Sequence, residues 1–332
     1  MLRAAVIGVG AMGQHHARVY AQLPTTRLVG VADASEATGQ RIADLHHTMA
    51  FTDHRAMLEE TRPDLVTVAV PTEYHHAAAM DALEAGCHVL IEKPIAVDEE
   101  QAQELIDRAA ELDRKLMVGH IVRFDPAVQA LREHLEAGEL GRIFQVRCRR
   151  LGPFPARIRD VGVVIDLATH DLDMIRFLTG QEAVRVYAET EQKIHSAYED
   201  ILVGTVRLTD GTIGILDINW LTPNKIRELT VTGEQGMFLV DHLTQDLYFY
   251  ENAETHGEGW SPIRLLRGVS EGRMIRYPIQ KYEPLKAELE AFARAIADDT
   301  PVPVTGADGL AALRLAKALV RSGQEGQAIT LL

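Results

Sequence analysis

The first 120 residues alternate short, continuous apolar runs with stretches of helical periodicity. The apolar runs lie at residues 2–9, 27–32, 65–70, 88–91 and 116–119. Parallel strands are buried on both faces, so they read as continuous apolar runs rather than as alternating ones. The segments between them predict helices, some of which begin at capping residues such as Ser35 and Asp98. We therefore predict a doubly wound α/β domain with a parallel sheet over residues 1–122.

After residue 123 the pattern changes. A helix over residues 126–137 leads to a strand over 142–151, and a helix from about Val164 ends at Gly180. Strand then follows strand at residues 184–190, 200–208, 212–220, 226–231, 237–240 and 246–250. Asp210-Gly211 between two of these is a hairpin signal. We predict an α+β domain with a large, mainly antiparallel open sheet over residues 123–332, whose tail holds two helices.

The first apolar run leads directly into Gly8-x-Gly10-x-x-Gly13 and a predicted helix. In a Rossmann fold this arrangement binds a dinucleotide pyrophosphate through the tight turn and the helix N-terminus. The second run ends at Asp33, where a carboxylate can accept both ribose hydroxyls and repel the 2′-phosphate of NADP. A structural glycine turn is the alternative. We predict NAD as the cofactor, held by Gly8, Val9, Gly10, Ala11, Met12, Gly13 and Asp33.

Two other stretches carry candidate chemistry. Glu92-Lys93-Pro94 follows a predicted strand, which delivers a lysine to the cofactor edge of the sheet, where it can stabilise a developing alkoxide. Asp166, His170 and Asp173 are spaced to share one face of a helix, and a carboxylate beside a histidine suits a general base. The alternatives are a surface Glu-Lys pair and a solvated helix face.

Composition excludes several classes of function. The 332 residues carry a formal net charge of −14 and no apolar run long enough to span a bilayer, which argues against nucleic-acid and membrane partners. Two cysteines, Cys87 and Cys148, suit a reducing compartment, and we predict a cytoplasmic protein. Histidines occur as adjacent pairs, whose side chains point apart on a helix, so we predict no metal.

The Glu92-Lys93-Pro94 stretch, together with the Asp166, His170 and Asp173 spacing, resembles the Gfo/Idh/MocA oxidoreductase family. The resemblance covers the whole chain and implies a Rossmann domain followed by an α/β domain with an open sheet. It implies Lys93, Asp166 and His170 as the catalytic set, with Asp173 as a substrate contact. The residues that it places on the nicotinamide side are Pro71, Thr72, His75, Glu92, Lys93 and His120.

Three stretches resemble the family members that act on nucleotide sugars, most closely those that oxidise UDP-N-acetylglucosamine at C3. They cover residues 118–127, which include Arg123, 152–162 and 219–225. Positive charge for a diphosphate could come from Arg157, Arg159, Lys225 and Arg227. Trp220 could stack on a base or a sugar. Surface arginines and a core tryptophan are the alternatives.

Two further functions stay open: oxidation of a free sugar or cyclitol, and non-catalytic sensing of a dinucleotide. We also expect a homo-oligomer, a dimer or a tetramer. The predicted strands at residues 202–206 and 213–216 place apolar residues on both faces of the second sheet, and a partner subunit is the simplest cover.

Overall fold

The computed structural model describes residues 1–155, 161–195, 197–253 and 270–331. This part of the chain forms two compact units. The first consists of Met1–Ile121 and Glu283–Arg314, and the second of the described residues within Val122–Tyr282 together with those from Leu315 onward.

The first unit is built on a parallel sheet with the strand order β3-β2-β1-β4-β5-β6 among the described residues. Its strands are β1 (Leu2–Ile7), β2 (Thr26–Ala32), β3 (Met49–Phe51), β4 (Leu65–Val68), β5 (His88–Glu92) and β6 (Leu116–Gly119). The helices that connect them are α1 (Gly13–Gln22), α2 (Glu36–His46), α3 (His54–Thr61), α4 (His75–Glu84) and α5 (Glu99–Glu111). The strand order reverses between β1 and β4, which is where such sheets bind ligands. The predicted doubly wound α/β fold is confirmed.

The second unit is built on a nine-stranded sheet within the described ranges. Its order is β14-β13-β12-β11-β7-β10-β9-β8-β15, and only the β7–β10 pair in it is parallel. The strands are β7 (Ile143–Pro153), β8 (Ala183–Glu191), β9 (Ile201–Leu208), β10 (Ile213–Asn219), β11 (Leu221–Gly233), β12 (Gly236–Asp241), β13 (Asp246–Ala253), β14 (Ser270–Tyr277) and β15 (Ile329–Thr330). The predicted large, mainly antiparallel sheet is confirmed.

One face of this sheet carries the core of the second unit. Helices α6 (Pro126–Glu136) and α7 (Thr169–Thr179) supply apolar side chains to it, and a π-helical turn over Val164–Ala168 leads into α7. On β7 the buried positions alternate, as in Val146 and Cys148, which is the period expected of a half-buried strand. Val146, Cys148 and the other side chains on this face of the sheet therefore lie on the same side as α7.

The first structural division falls after Ile121, and the tail of the chain is shared between the two units. Helix α8 (Pro284–Ala297) and the first part of α9 (Gly306–Glu325) join the first unit, although we expected them in the second domain. Gly309 lies so close to β6 that an added Cβ would come within 2.7 Å of Val118, whose amide donates to Val304 O at 3.3 Å. Because Gly309 has no side chain, this part of α9 packs closely on β6, and the tail therefore belongs in part to the first unit.

Helix α8 buries an acid inside the first unit. Glu288 has no exposed surface, and its two carboxyl oxygens have no hydrogen-bond partner among the described residues. Burial, together with the negative charge of Glu92, raises the pKa of Glu288 well above its ordinary value. The native state therefore keeps a proton on Glu288 over a range of pH in which the unfolded chain releases it.

This burial predicts a pH-dependent gain in stability for Glu288→Gln. An acid whose pKa is raised on folding makes the free energy of unfolding fall as the pH rises from its unfolded pKa towards its folded one. The slope is at most about 1.4 kcal/mol per pH unit. We expect the variant to be more stable than the wild type in urea denaturation, by a margin that grows as the pH rises above the ordinary pKa of a glutamate. The control is Glu290→Gln, a partly exposed acid of the same helix, whose difference from the wild type should not change with pH.

Candidate active site

The loop after β1 has the shape that its glycines permit. Gly8 has a φ of +83°, and a Cβ there would lie 2.8 Å from the carbonyl group of Ala69. A Cβ on Gly13 would lie 1.8 Å from Gly8 O, so side chains at both positions are excluded. Around Gly10, in contrast, a Cβ would meet no atom within 4 Å. The loop is therefore packed tightly against the sheet and open at Gly10, as the approach of a pyrophosphate requires.

Asp33 holds this loop from the end of β2. One carboxylate oxygen accepts a hydrogen bond from Val9 N at 2.9 Å, and the other accepts from Ser35 N at 2.9 Å. Helix α1 begins beyond the loop with no side-chain cap from Met12, so the positive end of its dipole at Gly13 is open to an anion. The predicted loop from Gly8 to Gly13, together with Asp33, therefore fits a dinucleotide.

The end of β5 is fixed by buried hydrogen bonds to Glu92. His16 Nε2 on α1 donates to Glu92 Oε1 at 2.8 Å, and Lys93 N donates to Glu92 Oε2 at 3.2 Å. Burial would raise the pKa of Glu92, but the bond from His16 and the positive charge of Lys93 outweigh it, so the pKa is lowered. An ionised Glu92 thus holds the backbone from which the partly exposed Lys93 extends.

The other residues expected on the nicotinamide side divide into accessible and buried ones. Pro71 is exposed and Thr72 partly exposed, whereas His75 and His120 are buried. The ring nitrogens of His75 lie 2.8 Å from Pro94 O and 2.9 Å from Val70 O. Burial lowers the pKa of His75, against the opposing effect of the two carbonyls. His75 therefore braces the ends of β4 and β5 against each other.

In the second unit, the three residues expected on one helix face lie on two kinds of helix. Asp166 is buried on the π-helical turn, while the partly exposed His170 and the fully buried Asp173 belong to α7. Because a π turn holds more residues than an α turn, the uniform α-helical spacing that we assumed is wrong here. Such turns are frequent at functional sites.

Asp173 is bonded to Arg123, which we had also expected to contact substrate. Arg123 Nε donates to Asp173 Oδ2 at 2.8 Å and Nη2 donates to Oδ1 at 2.6 Å. Both side chains are buried, so the pair ties α7 to the preceding segment of the chain. We therefore revise both roles from substrate contact to support of the candidate catalytic helix.

A second buried ion pair lies on the same helix, and sequence reasoning did not single it out. Arg150 on β7 donates from Nε to Asp171 Oδ2 at 2.9 Å and from Nη2 to Oδ1 at 2.6 Å. The available signal was the position of Arg150 two residues after Cys148, on the buried face of its strand. This pair joins the sheet to α7 one residue after His170.

The remaining predicted substrate residues are Arg157, Arg159 and Trp220. The two arginines lie outside the described residues. The Trp220 ring is 3% exposed and packs against Phe154 at a centroid distance of 5.7 Å and against His195 at 6.2 Å. This is the position of a core tryptophan, which was the alternative to a stacking platform.

Neither a metal cluster nor a reactive thiol stands out in the described part of the chain. There, no group of three or more His, Cys, Asp or Glu residues is arranged to hold a metal ion. Cys87 and Cys148 are free and buried, and burial raises the pKa of Cys87 to about 12. Of the helices in the described ranges, none is both long and apolar enough to cross a bilayer.

Comparison with known proteins agrees with this arrangement. A family model described as an oxidoreductase family with an NAD-binding Rossmann fold matches residues 2–120, and a GFO/IDH/MocA C-terminal domain matches residues 128–239. UDP-N-acetylglucosamine 3-dehydrogenase from Acidithiobacillus ferrooxidans is 34% identical over 308 residues, which are 93% of each chain. The chain belongs to the GFO/IDH/MocA oxidoreductase family. The predicted family, the dehydrogenase class and the NAD cofactor are thereby confirmed, and a non-catalytic sensor is not supported.

Other members of the GFO/IDH/MocA family resemble this chain nearly as well. Inositol 2-dehydrogenase from Rhizobium meliloti is 29% identical over 99% of each chain, and D-glucoside 3-dehydrogenase from Escherichia coli is 33% identical over 69% of this chain and 73% of the relative. A solved structure of the Acidithiobacillus ferrooxidans enzyme superposes with a TM-score of 0.86 over 98% of each chain. The family is thus defined, while its members differ in the sugar or cyclitol that they are named for.

Proposed function

We propose that this GFO/IDH/MocA enzyme oxidises the C3 hydroxyl of UDP-N-acetylglucosamine to the 3-keto sugar. The observation that carries the proposal is a cationic patch beside the candidate catalytic helix. The patch consists of Arg227 and Lys225 on β11, which both lie beside Gly152 of β7. Arg227 is the register partner of Arg150, the residue that binds Asp171 of α7. A nucleoside diphosphate sugar has anionic phosphate groups that can bind to such a patch, whereas a free polyol has none. The name of the Acidithiobacillus ferrooxidans relative supports the same choice.

In this proposal the glycine loop and Asp33 hold the cofactor, and Pro71, Thr72, His75, Glu92, Lys93 and His120 form the nicotinamide side. The carboxylate of Asp33 lies at the end of β2, and Ala34 and Ser35 supply no positive charge beside it. A 2′-phosphate would meet a negative charge without a counter-ion. The enzyme should therefore prefer NAD to NADP.

The chemistry is assigned to Lys93, His170 and Asp166. Bound NAD supplies the hydride acceptor. His170 takes the proton of the C3 hydroxyl as a general base, while the Lys93 ammonium group donates a hydrogen bond to the developing alkoxide. Asp166 orients the His170 ring. The hydrogen on C3 leaves with its bonding electron pair and the hydroxyl proton stays on His170, so the sugar becomes the ketone while Lys93 donates to its oxygen.

A free sugar or cyclitol remains the second candidate substrate. The inositol and glucoside dehydrogenases that resemble the chain favour it, because they share the family and align with most of its length. The same catalytic groups would serve either substrate, since each offers a secondary alcohol. The cationic patch is the feature that distinguishes the two proposals.

A direct assay decides between these substrates. We expect NADH to form with UDP-N-acetylglucosamine at a kcat/KM at least tenfold above that for N-acetylglucosamine, myo-inositol or methyl glucoside, because only the first can use the patch. NADP in place of NAD is the matched control and should react much more slowly. Turnover of myo-inositol or methyl glucoside, with none of any UDP-sugar, would contradict the proposal.

We also propose a cytoplasmic homo-oligomer in which a second copy of the chain covers the open face of the nine-stranded sheet. On that face Val203 is 50% exposed, and Ile213 and Ile215 are partly exposed on the neighbouring strand. Tyr187 and Tyr250 are further exposed apolar side chains on strands of the same sheet. Apolar surface of this kind is typical of subunit interfaces.

A further inference from the structure

Arg227 differs from three other buried or partly buried arginines of the second unit. Arg123, Arg149 and Arg150 each form an ion pair with an Asp or Glu. Arg227 is half-buried, and its Nη1 donates to two backbone carbonyls, Leu151 O at 2.6 Å and Ile226 O at 2.8 Å. No Asp or Glu in the described ranges lies within ion-pair distance of it. Its charge is therefore held in place by the backbone but is not neutralised.

The strand register explains how an arginine comes to lie there. Arg227 on β11 is the partner of Arg150 on β7, just as Leu229 is the partner of Cys148. Partners in an antiparallel pair share a face of the sheet. Arg227 therefore continues the row of buried side chains on the helix side, at the end where that row changes from apolar to charged.

The surroundings of Arg227 disfavour its positive charge. Burial, and after it the neighbouring charge of Arg150, lower the pKa of Arg227 to about 10, although Asp171 and Asp166 act in the opposite direction. Asp171 is already bonded to Arg150 through both oxygens. A partly buried cation without its own counter-ion gains most when an anion binds to it.

Among the described residues, a glycine of β7, Gly152, lies next to the guanidinium group, so no β7 side chain occupies the position beside it. β11 pairs Leu221 with Pro153 and Ile226 with Leu151, so residues 222–225 bulge out opposite Gly152. A Cβ on Gly152 would lie 3.7 Å from Arg227 Nη1, 3.8 Å from Nη2 and 3.9 Å from Lys225 Cγ. The absent side chain of Gly152 thus leaves two cationic side chains facing the same space, and bulges often re-aim side chains beside active sites.

We propose that Arg227, together with Lys225 and Gly152, forms an oxyanion subsite that binds the diphosphate of the nucleotide-sugar substrate. The inference rests on the proposed function and names the part of the site that selects a nucleotide sugar over a free one. Nη1 is committed to the carbonyls, which orients the guanidinium plane, and Nε and Nη2 remain to donate to phosphate oxygens. Lys225 adds a mobile second charge.

The test is calorimetric titration of the full chain with UDP and with uridine, alongside steady-state kinetics. We expect Arg227→Met to weaken UDP binding about ten- to a hundredfold, because a charge-assisted contact to phosphate is lost. Uridine binding and the KM for NAD should not change, and the KM for UDP-N-acetylglucosamine should rise more than kcat falls.

Gly152→Ala keeps both cations but fills the space at ordinary contact distances, so it should weaken UDP binding severalfold without disturbing the fold.

The matched control is Arg149→Met. Arg149 is the residue before Arg150 on β7, so it points to the opposite face, where it pairs with Glu228 at 2.9 Å. We expect its UDP affinity to equal that of the wild type. Equal UDP affinity in the wild type and in Arg227→Met would overturn the subsite and leave the proposed reaction standing. A wild type that binds no UDP and oxidises only free polyols would overturn the proposed reaction and the subsite together.

Discussion

His170→Asn is expected to lower kcat by about 10²–10⁴-fold, the usual loss when a general base is removed. Asparagine is close to histidine in size and polarity but cannot take up the hydroxyl proton. Because His170 lies at the second residue of α7, where it is partly exposed, the substitution leaves the buried core of the second unit in place. We expect the KM for NAD to stay near the wild-type value, since the loop that fits the dinucleotide belongs to the first unit.

The pH profile gives a second readout of the same residue. In the wild type, kcat/KM should fall as the pH drops through the pKa of the base, whereas the residual activity of the variant should lack this limb. His46→Asn, at a partly exposed histidine at the end of α2, controls for the loss of a histidine elsewhere. A kcat within threefold of the wild type would remove His170 from the mechanism.

The sequence alone was enough to predict local structure wherever one stretch contains all the determinants. The glycine loop is such a case, because Gly8, Gly10 and Gly13 act on their own turn and helix. The N-caps of helices are a second such case. The side chain of Ser35 accepts a hydrogen bond from Thr38 N, and that of Asp98 accepts one from Gln101 N, as their spacing predicts. The hairpin at Asp210-Gly211 also forms, and Gly211 has the positive φ of 89° that the turn needs.

Contacts between residues far apart in the sequence could not be predicted in this way. His16 is separated by 76 positions from its partner Glu92, and periodicity shows only that each lies on a particular helix or strand. Glu288 is a similar case, since a glutamate on an amphipathic helix is usually solvated. Its burial depends on α8 packing on the first unit, which our assignment of the tail did not include.

In the candidate site the sequence identified residue types better than their surroundings. Asp166 and His170 were expected on a regular α-helix, but a π-helical turn intervenes, and no pattern of apolar residues indicates where an extra residue enters a turn. Arg227 was one of four cations considered for a diphosphate. What distinguishes it is a half-buried charge without a counter-ion in the described part of the chain, whereas Lys225 is exposed. Such burial is a property of the folded neighbourhood.

Asp171→Asn should cost the second unit about 3–5 kcal/mol in free energy of unfolding, the usual result of removing one partner from a buried ion pair. Asp171 and Arg150 are both almost completely buried, so the loss would leave the Arg150 charge in the sheet without a carboxylate and beside the equally uncompensated Arg227. Urea denaturation followed by circular dichroism measures the cost. Glu136→Gln, which removes the exposed i,i+4 pair with Arg132, should change stability by only about 0.3–0.5 kcal/mol.

A double variant then separates the cost of a lone charge from the value of the pair itself. Replacing both partners by apolar residues of similar size, as in Arg150→Met with Asp171→Leu, should recover most of the lost stability, because no buried charge is left behind. The double variant also removes the Arg150 charge, which lowers the pKa of Arg227, and the Asp171 charge, which acts in the opposite direction. If it were as unstable as Asp171→Asn, the pair would be stabilising through its hydrogen-bonded geometry, and the lone-charge explanation would be wrong.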